Sequence, residues 1–280
     1  MIAIEWYKQF RRRRTYVTLG AVAGFSVLLT VVLAAAGPGQ VEYVGDVPLV
    51  MVPRTSGLSV ALIALSSTMK FFLPLAVALF AGEAVAGEAG WGSLRYLMAR
   101  PVSRSRVLWS KASVAGGLSV IAVVVLTATA AIAGTVAFGW HALPIIDGAA
   151  SRPGHTVGAT LLPGTVLGGL ALSTVYVAVG MTSIFAVAFF LSTTTRRPLV
   201  AVAGGIGLTI VSRVFNADYL PGVSVVNQYM PNNDIDLWNY LFVRPVSTQG
   251  FLHFALVQAA YVVVFMGLAQ WWFTRKDILE

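Results

Sequence analysis

Long runs of apolar residues, separated by short polar segments, dominate the pattern along this chain. Five of the runs lie at 16–36, 112–138, 165–191, 199–213 and 254–273. A sixth, at 68–88, is apolar apart from Lys70, Glu83 and Glu88. A helix needs about 20 residues to cross the roughly 30 Å of hydrocarbon in a bilayer. The pattern therefore predicts an all-α integral membrane protein with six transmembrane helices.

The sixth run leaves two placements open for the residues before it. A charge at the centre of a bilayer costs about 2.5 to 3.5 kcal/mol on insertion scales. The span is therefore placed at 68–88, where Lys70 can reach outward and Glu83 lies near the opposite face. The apolar stretch 58–65 then either extends the helix beyond the bilayer or lies against a partner.

The amino-acid composition agrees with a membrane protein and excludes several kinds of functional site. Hydrophobic residues make up 57% of the 280 residues and charged residues only 11%, and the mean hydropathy is +0.79. Soluble proteins carry about 25% charged residues, so a water-soluble chain is excluded. The chain has no cysteine, which excludes disulfides, zinc thiolate sites and cysteine catalysis.

The positive charges predict the orientation, because cytoplasmic loops are enriched in Lys and Arg. The net charge is +8, and six spans place both termini on one side. Of the 19 basic residues, 14 fall on that side. They are Lys8, Arg11, Arg12, Arg13, Arg14, Arg95, Arg100, Arg104, Arg106, Lys111, Arg196, Arg197, Arg275 and Lys276. We therefore expect cytoplasmic termini in a multi-pass protein of a bacterial plasma membrane, and no nucleic-acid partner.

Two segments outside the spans are predicted to be interfacial helices. In residues 1–15, Ile2, Trp6 and Phe10 recur every four residues and form one apolar stripe, followed by a run of arginines that can reach anionic lipid headgroups. A plain basic stop at the membrane edge is the alternative. The stretch 235–243 has the Trp and Tyr content of a second short helix at the interface.

A third short helix is predicted at 92–100, between the second and third spans. Gly90 and Gly92 interrupt the preceding span, Ser93 can cap a new helix, and Pro101 ends it. Its apolar face consists of Leu94, Leu97 and Met98, flanked by Arg95 and Arg100. A helix of two turns is not stable alone in water, so a lipid surface or a partner protein must hold it.

The residues around this helix follow a recognisable order. Glu83 and Glu88 precede Gly92-Ser93-Leu94-Arg95, Leu97-Met98 and Pro101-Val102-Ser103-Arg104. The order resembles the acidic-Gly-[Ser/Thr]-Leu-x-x-Leu-Leu-x-x-Pro-Val-x-Arg pattern of type-2 ABC transporter permeases. The end of the chain, Trp271-Trp272-Phe273-Thr274-Arg275-Lys276-Asp277, is also similar to the close of that family. Trp91 departs from the pattern, which usually has smaller or polar residues there.

The resemblance implies a permease subunit of an ABC exporter. In that family two six-span subunits pair, as a homodimer or with a paralogue, and each docks its first cytoplasmic loop on an ABC ATPase subunit. The 92–100 helix would be the coupling helix, with Leu94, Arg95, Leu97, Met98 and Arg100 contacting the ATPase. ATP and Mg would belong to that partner, and this chain would hold no cofactor of its own. The absence of a Gly-x-x-x-x-Gly-Lys-[Ser/Thr] phosphate cradle agrees with this division.

The small outer loops and the apolar spans favour export of an apolar or amphipathic substrate, such as a drug, a peptide or a lipid. Aromatic side chains suit such cargo, and the candidate lining residues are Phe71, Phe72, Phe185, Phe189 and Phe190.

Other functions remain as alternatives. Glu83 and Glu88, at the acidic start of the loop, could carry protons or cations in an ion-coupled secondary transporter. They could equally favour the helix that begins at Ser93, or pair with Arg95 and Arg100. A membrane-embedded enzyme is less favoured, because no catalytic pair stands out. No His-x-x-x-His or His-Glu-x-x-His spacing occurs, so we expect no metal site.

Overall fold

The computed structural model describes residues 2–36, 56–90, 103–145, 159–215, 224–242 and 250–275. The helices are α1 (Ile2–Phe10), α2 (Arg13–Ala36), α3 (Gly57–Thr68), α4 (Phe72–Gly90), α5 (Arg104–Phe138), α6 (Pro163–Gly180), α7 (Thr182–Thr194), α8 (Pro198–Phe215), α9 (Ser224–Asn227) and α10 (Phe251–Arg275). A short antiparallel hairpin joins β1 (Leu143–Ile145) to β2 (Ala159–Leu161), and a 3₁₀ helix spans Ile235–Leu241.

In the part of the chain that the structure describes, six helical segments are long and apolar enough to cross a membrane, which agrees with the predicted number of spans. They are α2, α4, α5, the pair α6 and α7, α8, and α10. The largest shift from the predicted bounds is in α5, which was expected at 112–138 and begins at Arg104. Hydropathy marks only the apolar part of a helix, so it misses the first two turns of α5, which are helical but carry Arg104, Arg106 and Lys111.

Helix α3 fixes the position of the stretch 58–65. Of its 12 residues, 11 are buried, and it packs along α5 within the same chain. The two backbones approach closely at glycines, because a Cβ added to Gly57 would lie 2.4 Å from the carbonyl carbon of Gly134. The partner that the sequence left open is therefore the chain's own α5. The predicted span 68–88 begins later, at Phe72, after a turn that holds the exposed Lys70.

The 3₁₀ helix Ile235–Leu241 lies within the segment 235–243, for which a short helix was predicted, and it packs against the bundle. Trp238 is fully buried, and its indole Nε1 donates a hydrogen bond to Met69 Sδ at 3.3 Å. The Tyr176 hydroxyl donates to the backbone carbonyl of Asp234 at 2.6 Å, which ties the preceding turn to α6. The aromatic content of this segment thus serves packing in the bundle, a role that composition does not distinguish from a position at the interface.

Candidate functional site

One end of the bundle gathers the chain termini and the ends of several spans. Arg104, at the start of α5, donates through Nη1 to the carbonyl of Thr274 near the end of α10 at 3.1 Å. Gln270 of α10 donates to the Ser105 hydroxyl at 3.1 Å. At the end of α4, a Cβ on Gly90 would lie 2.9 Å from the Arg196 carbonyl, in the turn between α7 and α8. We call this end the terminal face, and the opposite end the distal face.

A group of charged side chains lies at the terminal face, where α1 meets α4 and α5. We call Glu5, Lys8, Arg12, Glu88 and Lys111 the ion cluster. Glu88 Oε2 lies 2.6 Å from Lys111 Nζ, and Glu88 Oε1 pairs with Lys8 and, at 3.5 Å, with Arg12. Lys111 also donates to Glu5 Oε1 at 3.0 Å. The cluster therefore joins three helices through two carboxylates and three cations.

The centre of the ion cluster is shielded from solvent. The side chains of Lys111 and Glu88 are 1% and 4% exposed, whereas that of Lys8 is 43% exposed. Buried charges are costly unless they are paired and hydrogen-bonded. Glu88 has three partners of opposite charge and Lys111 has two, so the cluster meets that condition, and α1 and the turn after it supply three of the five side chains.

The local sequence explains this arrangement. Glu5 and Lys8 are three residues apart in α1 and so share one face of the helix. Glu88 is in the last turn of α4, and Lys111 is in the second turn of α5. Residues 91–102 connect these two helices. The ion pair between Glu88 and Lys111 therefore joins the two helices close to the ends from which this segment leaves.

Aromatic packing also holds α1 against the bundle, through a different face from that of Glu5 and Lys8. The Trp6 ring lies against α5, where a Cβ on Gly117 would come within 2.6 Å of it, and it stacks on Phe10 with ring centroids 5.4 Å apart. Ile4 and Tyr7 point away and are 69% and 62% exposed. Of the predicted stripe of Ile2, Trp6 and Phe10, Trp6 contacts the bundle and Phe10 stacks on it, whereas Ile2 is exposed.

Truncating Trp6 should loosen α1. We expect Trp6→Ala to speed trypsin cleavage at the Arg11 to Arg14 segment by about tenfold, which corresponds to about 1.4 kcal/mol, because the ring loses its contact with α5. Ile4→Ala, on the exposed face, is the matched control and should cleave at the wild-type rate. Equal rates for the two variants would show that the contact with α5 does not hold the helix.

Glu83 forms a separate and more exposed pair. Its Oε1 accepts a hydrogen bond from Arg14 Nη1 at 2.9 Å, and the two side chains are 25% and 65% exposed. Exposed pairs contribute about 0 to 1 kcal/mol. Of the two predicted acidic residues, Glu88 thus lies at the buried centre of the ion cluster, whereas Glu83 forms a separate, more exposed ion pair.

The predicted coupling residues fall outside the described part of the chain. These are Leu94, Arg95, Leu97, Met98 and Arg100, within 92–100. The structure does describe both flanks of their segment, ending at Gly90 and resuming at Ser103. The helix ends on either side of the segment are therefore described, and the ion cluster lies next to them.

The five predicted lining residues do not form one lining, although Phe185 and Phe189 stack with ring centroids 5.7 Å apart. Phe72 stacks on Phe25 with centroids 5.0 Å apart, and Phe190 packs against Phe265 at 5.9 Å. Phe189 is completely buried, whereas Phe71 is 54% exposed in the turn before α4. Phe185 lines a cavity between α5, α7 and α10.

Sequence reasoning missed four of the five members of the ion cluster. Lys8, Arg12 and Lys111 were used only as basic residues that set the orientation or reach lipid headgroups, and Glu5 had no role, yet all four contribute to the cluster. One signal was available, since a glutamate inside an apolar run needs a buried cation. It does not say which cation, because Lys8 is 80 residues away from Glu88 along the chain.

Within the described ranges, no group of three or more His, Cys, Asp or Glu side chains could hold a metal ion. His253 Nδ1 lies 3.1 Å from Asp234 Oδ2 near the distal face, which makes a single pair. The charged chemistry of the terminal face is therefore that of ion pairing.

The fold and the ion cluster define a multi-pass helical membrane protein whose N-terminal helix is bound to its bundle. The chain belongs to the family described as Protein of unknown function (DUF2705), whose model matches residues 25–279. It is also similar to Uncharacterized protein YhcI of Bacillus subtilis (strain 168), with 25% identity over 234 residues, which cover 81% of this chain and 72% of that protein. The family match begins within α2 and includes every later span.

Proposed function

We propose that this chain is the membrane-spanning permease subunit of an ATP-driven exporter, with ATP hydrolysed by a separate subunit. The observation that carries the proposal is the position of the ion cluster, which fixes α1, α4 and α5 at the base of residues 91–102. A segment that docks on a motor subunit must transmit force to the spans. A buried network of ion pairs at its base is suited to that task, because breaking it is costly.

The sequence pattern of the segment supports the same function. Residues 83–104 resemble the first cytoplasmic loop of type-2 ABC permeases, and the chain lacks a phosphate cradle of its own. In this proposal the apolar face of 92–100 enters a cleft on the ATPase, and the terminal face is cytoplasmic. Two such permease subunits, identical or paralogous, would form the pathway.

The polar side chains of the bundle favour an apolar or amphipathic cargo. The Ser119 and Thr127 hydroxyls in α5 donate to carbonyls of their own helix, at 2.9 and 2.8 Å. A hydrophilic solute needs polar groups that are free to bind it. These two hydroxyls of α5 are therefore not free to bind a polar solute, which supports a drug, a peptide or a lipid as substrate.

An ion-coupled transporter is the main rival, and the buried charges argue against it. Such transporters place ion-binding groups near the middle of the bilayer. Among the described residues, the charged side chains classed as buried are Glu88 and Lys111, and they pair with each other at the terminal face. A membrane-embedded enzyme is less favoured still, because no paired catalytic groups occur in the described spans.

Co-purification distinguishes these functions. We expect the tagged chain, expressed with the ATPase encoded beside its gene, to retain that ATPase through purification in mild detergent. An ATPase with no relation to transport, expressed in the same way, is the control and should be lost. Recovery of the chain without the neighbouring ATPase, while it still moves substrate in vesicles, would support the ion-coupled rival.

The orientation can be tested by labelling single cysteines. The chain contains no cysteine, so a cysteine at Ser105 or at His141 gives one reactive site. Ser105 lies at the terminal face, and His141 is exposed near the distal face. In intact cells, a membrane-impermeant maleimide should label the His141→Cys variant and spare Ser105→Cys. The reverse pattern would place residues 91–102 outside, where ATP-hydrolysing subunits are absent, and would refute the proposal.

A further inference from the structure

An apolar cleft opens on the side of the bundle between α5, α7 and α10, with a volume of about 280 Å³. Val120 and Val123 of α5, Phe185 of α7 and Met266 of α10 are among its lining residues. The span helices form its walls, so the cleft opens toward the hydrocarbon of the bilayer. Its chemistry suits a hydrocarbon chain.

The polar atoms of the cleft are already satisfied. The Ser119 hydroxyl donates to the Ala115 carbonyl at 2.9 Å, and the Thr182 hydroxyl donates to the Val179 carbonyl at 2.6 Å. Neither hydroxyl needs a polar ligand. Specificity for a polar group must therefore come from outside the cleft.

A second, more polar cavity adjoins the cleft at Trp109. This cavity of about 470 Å³ is lined by Trp109, Arg106, Ser110 and Ser113 of α5, together with the start of α1. The Trp109 indole donates to Gln270 of α10 and so stands fixed between the two cavities. Arg106 is exposed and has no ion pair within the part of the chain that the structure describes. A cationic group thus lines one cavity, an apolar cleft lies beside it, and Trp109 lines both.

We propose that the two cavities together bind one membrane lipid with an anionic headgroup. Its phosphate lies at Arg106, and one of its acyl chains lies in the cleft. From Trp109 to Val123 the wall of α5 rises about 21 Å, and one leaflet of hydrocarbon is about 15 Å deep. The cleft is therefore long enough for an acyl chain whose headgroup stays at the terminal face.

Size and charge favour a lipid over a second copy of this chain. Stable interfaces between proteins bury at least about 1,000 Å², whereas this cleft has the dimensions of a small-molecule pocket. Basic residues at a membrane surface attract anionic lipids, and Arg106 lies where such a headgroup would be. The site lies on α5, α7 and α10, apart from residues 91–102, so the inference does not depend on an ATPase partner.

Gly116 offers a way to fill the cleft without breaking the fold. A Cβ on Gly116 would meet Phe185 Cζ at 3.7 Å, which is ordinary van der Waals contact. The side chain of Gly116→Leu should therefore occupy the place of the acyl chain. Gly267→Leu on α10 is the matched control, because nothing lies within 4 Å of a Cβ at that position. For the headgroup, Arg106→Gln is paired with Arg197→Gln, which changes an exposed arginine in the α7–α8 turn.

The test is native mass spectrometry of the purified full chain, equilibrated with equal amounts of phosphatidylglycerol and phosphatidylcholine of the same acyl length. We expect the wild type, Gly267→Leu and Arg197→Gln to retain phosphatidylglycerol preferentially. Gly116→Leu should retain at least tenfold less of it. Arg106→Gln should still bind lipid but lose the preference for phosphatidylglycerol.

Several results would overturn the proposal. Undiminished retention by Gly116→Leu would show that the cleft does not hold the acyl chain. Equal retention of the two lipids by the wild type would show that Arg106 does not select an anionic headgroup. Competition by glycerol phosphate as effective as that by the whole lipid would reduce the site to an anion site. Loss of a dimer on Gly116→Leu substitution would make the cleft an interface between copies. None of these results bears on the co-purification of an ATPase.

Discussion

Replacing Glu88 with glutamine is expected to lower the free energy of unfolding by about 3 to 5 kcal/mol, the cost typical of removing one partner from a buried ion pair. The substitution leaves Lys111, with a side chain only 1% exposed, paired with Glu5 alone. Lys8 and Arg12 lose their carboxylate partner as well. At 2 to 4 °C per kcal/mol, the Tm in detergent should fall by about 10 °C.

Glu83→Gln is the matched control for this result. It makes the same chemical change on the same helix, but Glu83 pairs with an exposed arginine, so its effect should stay within about 1 kcal/mol. Equal Tm values for Glu88→Gln and Glu83→Gln would contradict the assignment of Glu88 as the centre of the cluster.

Removing both central charges should do less harm than removing one. In Glu88→Met/Lys111→Met the buried centre carries neither charge, and the groups that lose a partner, Glu5, Lys8 and Arg12, are all more exposed than Lys111. Buried ion pairs are often replaced by apolar residues at little cost. The double variant should therefore be more stable than Glu88→Gln. This non-additivity would identify a direct interaction between the two side chains.

The spans were predictable because run length and hydropathy report them directly. The runs 16–36 and 254–273 correspond to α2 and α10 within a few residues at each end. Whether the stretch 58–65 packs against protein or faces lipid could not be predicted in the same way. A helix buried on all sides by protein has the same apolar pattern as one surrounded by lipid, so only the tertiary structure shows that α3 packs on α5.

The ion cluster marks the limit of sequence reasoning about the site. The positions of Glu83 and Glu88 before the 92–100 segment could be recognised from a pattern of residue types. Their partners could not, because α1 folds back across the bundle and brings Lys8 to Glu88 from far along the chain. Local spacing suggested Arg95 and Arg100 instead, and the basic run after Phe10 was equally suited to lipid headgroups.

Loss of the apolar face at 92–100 should have the second large effect. If Leu94 and Leu97 enter a cleft on the ATPase, burial of each side chain contributes about 1.5 to 3 kcal/mol before the costs of association. Truncating both to alanine should therefore weaken binding of the ATPase by more than tenfold. Arg95 and Arg100 at the rim should matter less than these apolar anchors.

The affinity of purified ATPase for the detergent-solubilised chain tests the proposed function most directly. The account predicts that Leu94→Ala/Leu97→Ala binds the ATPase more than tenfold more weakly than the wild type. The control Leu252→Ala/Leu256→Ala, which truncates two exposed leucines on α10, should bind as the wild type does. Unchanged affinity for Leu94→Ala/Leu97→Ala, together with unchanged stimulation of ATP hydrolysis by substrate, would contradict the coupling role of this segment.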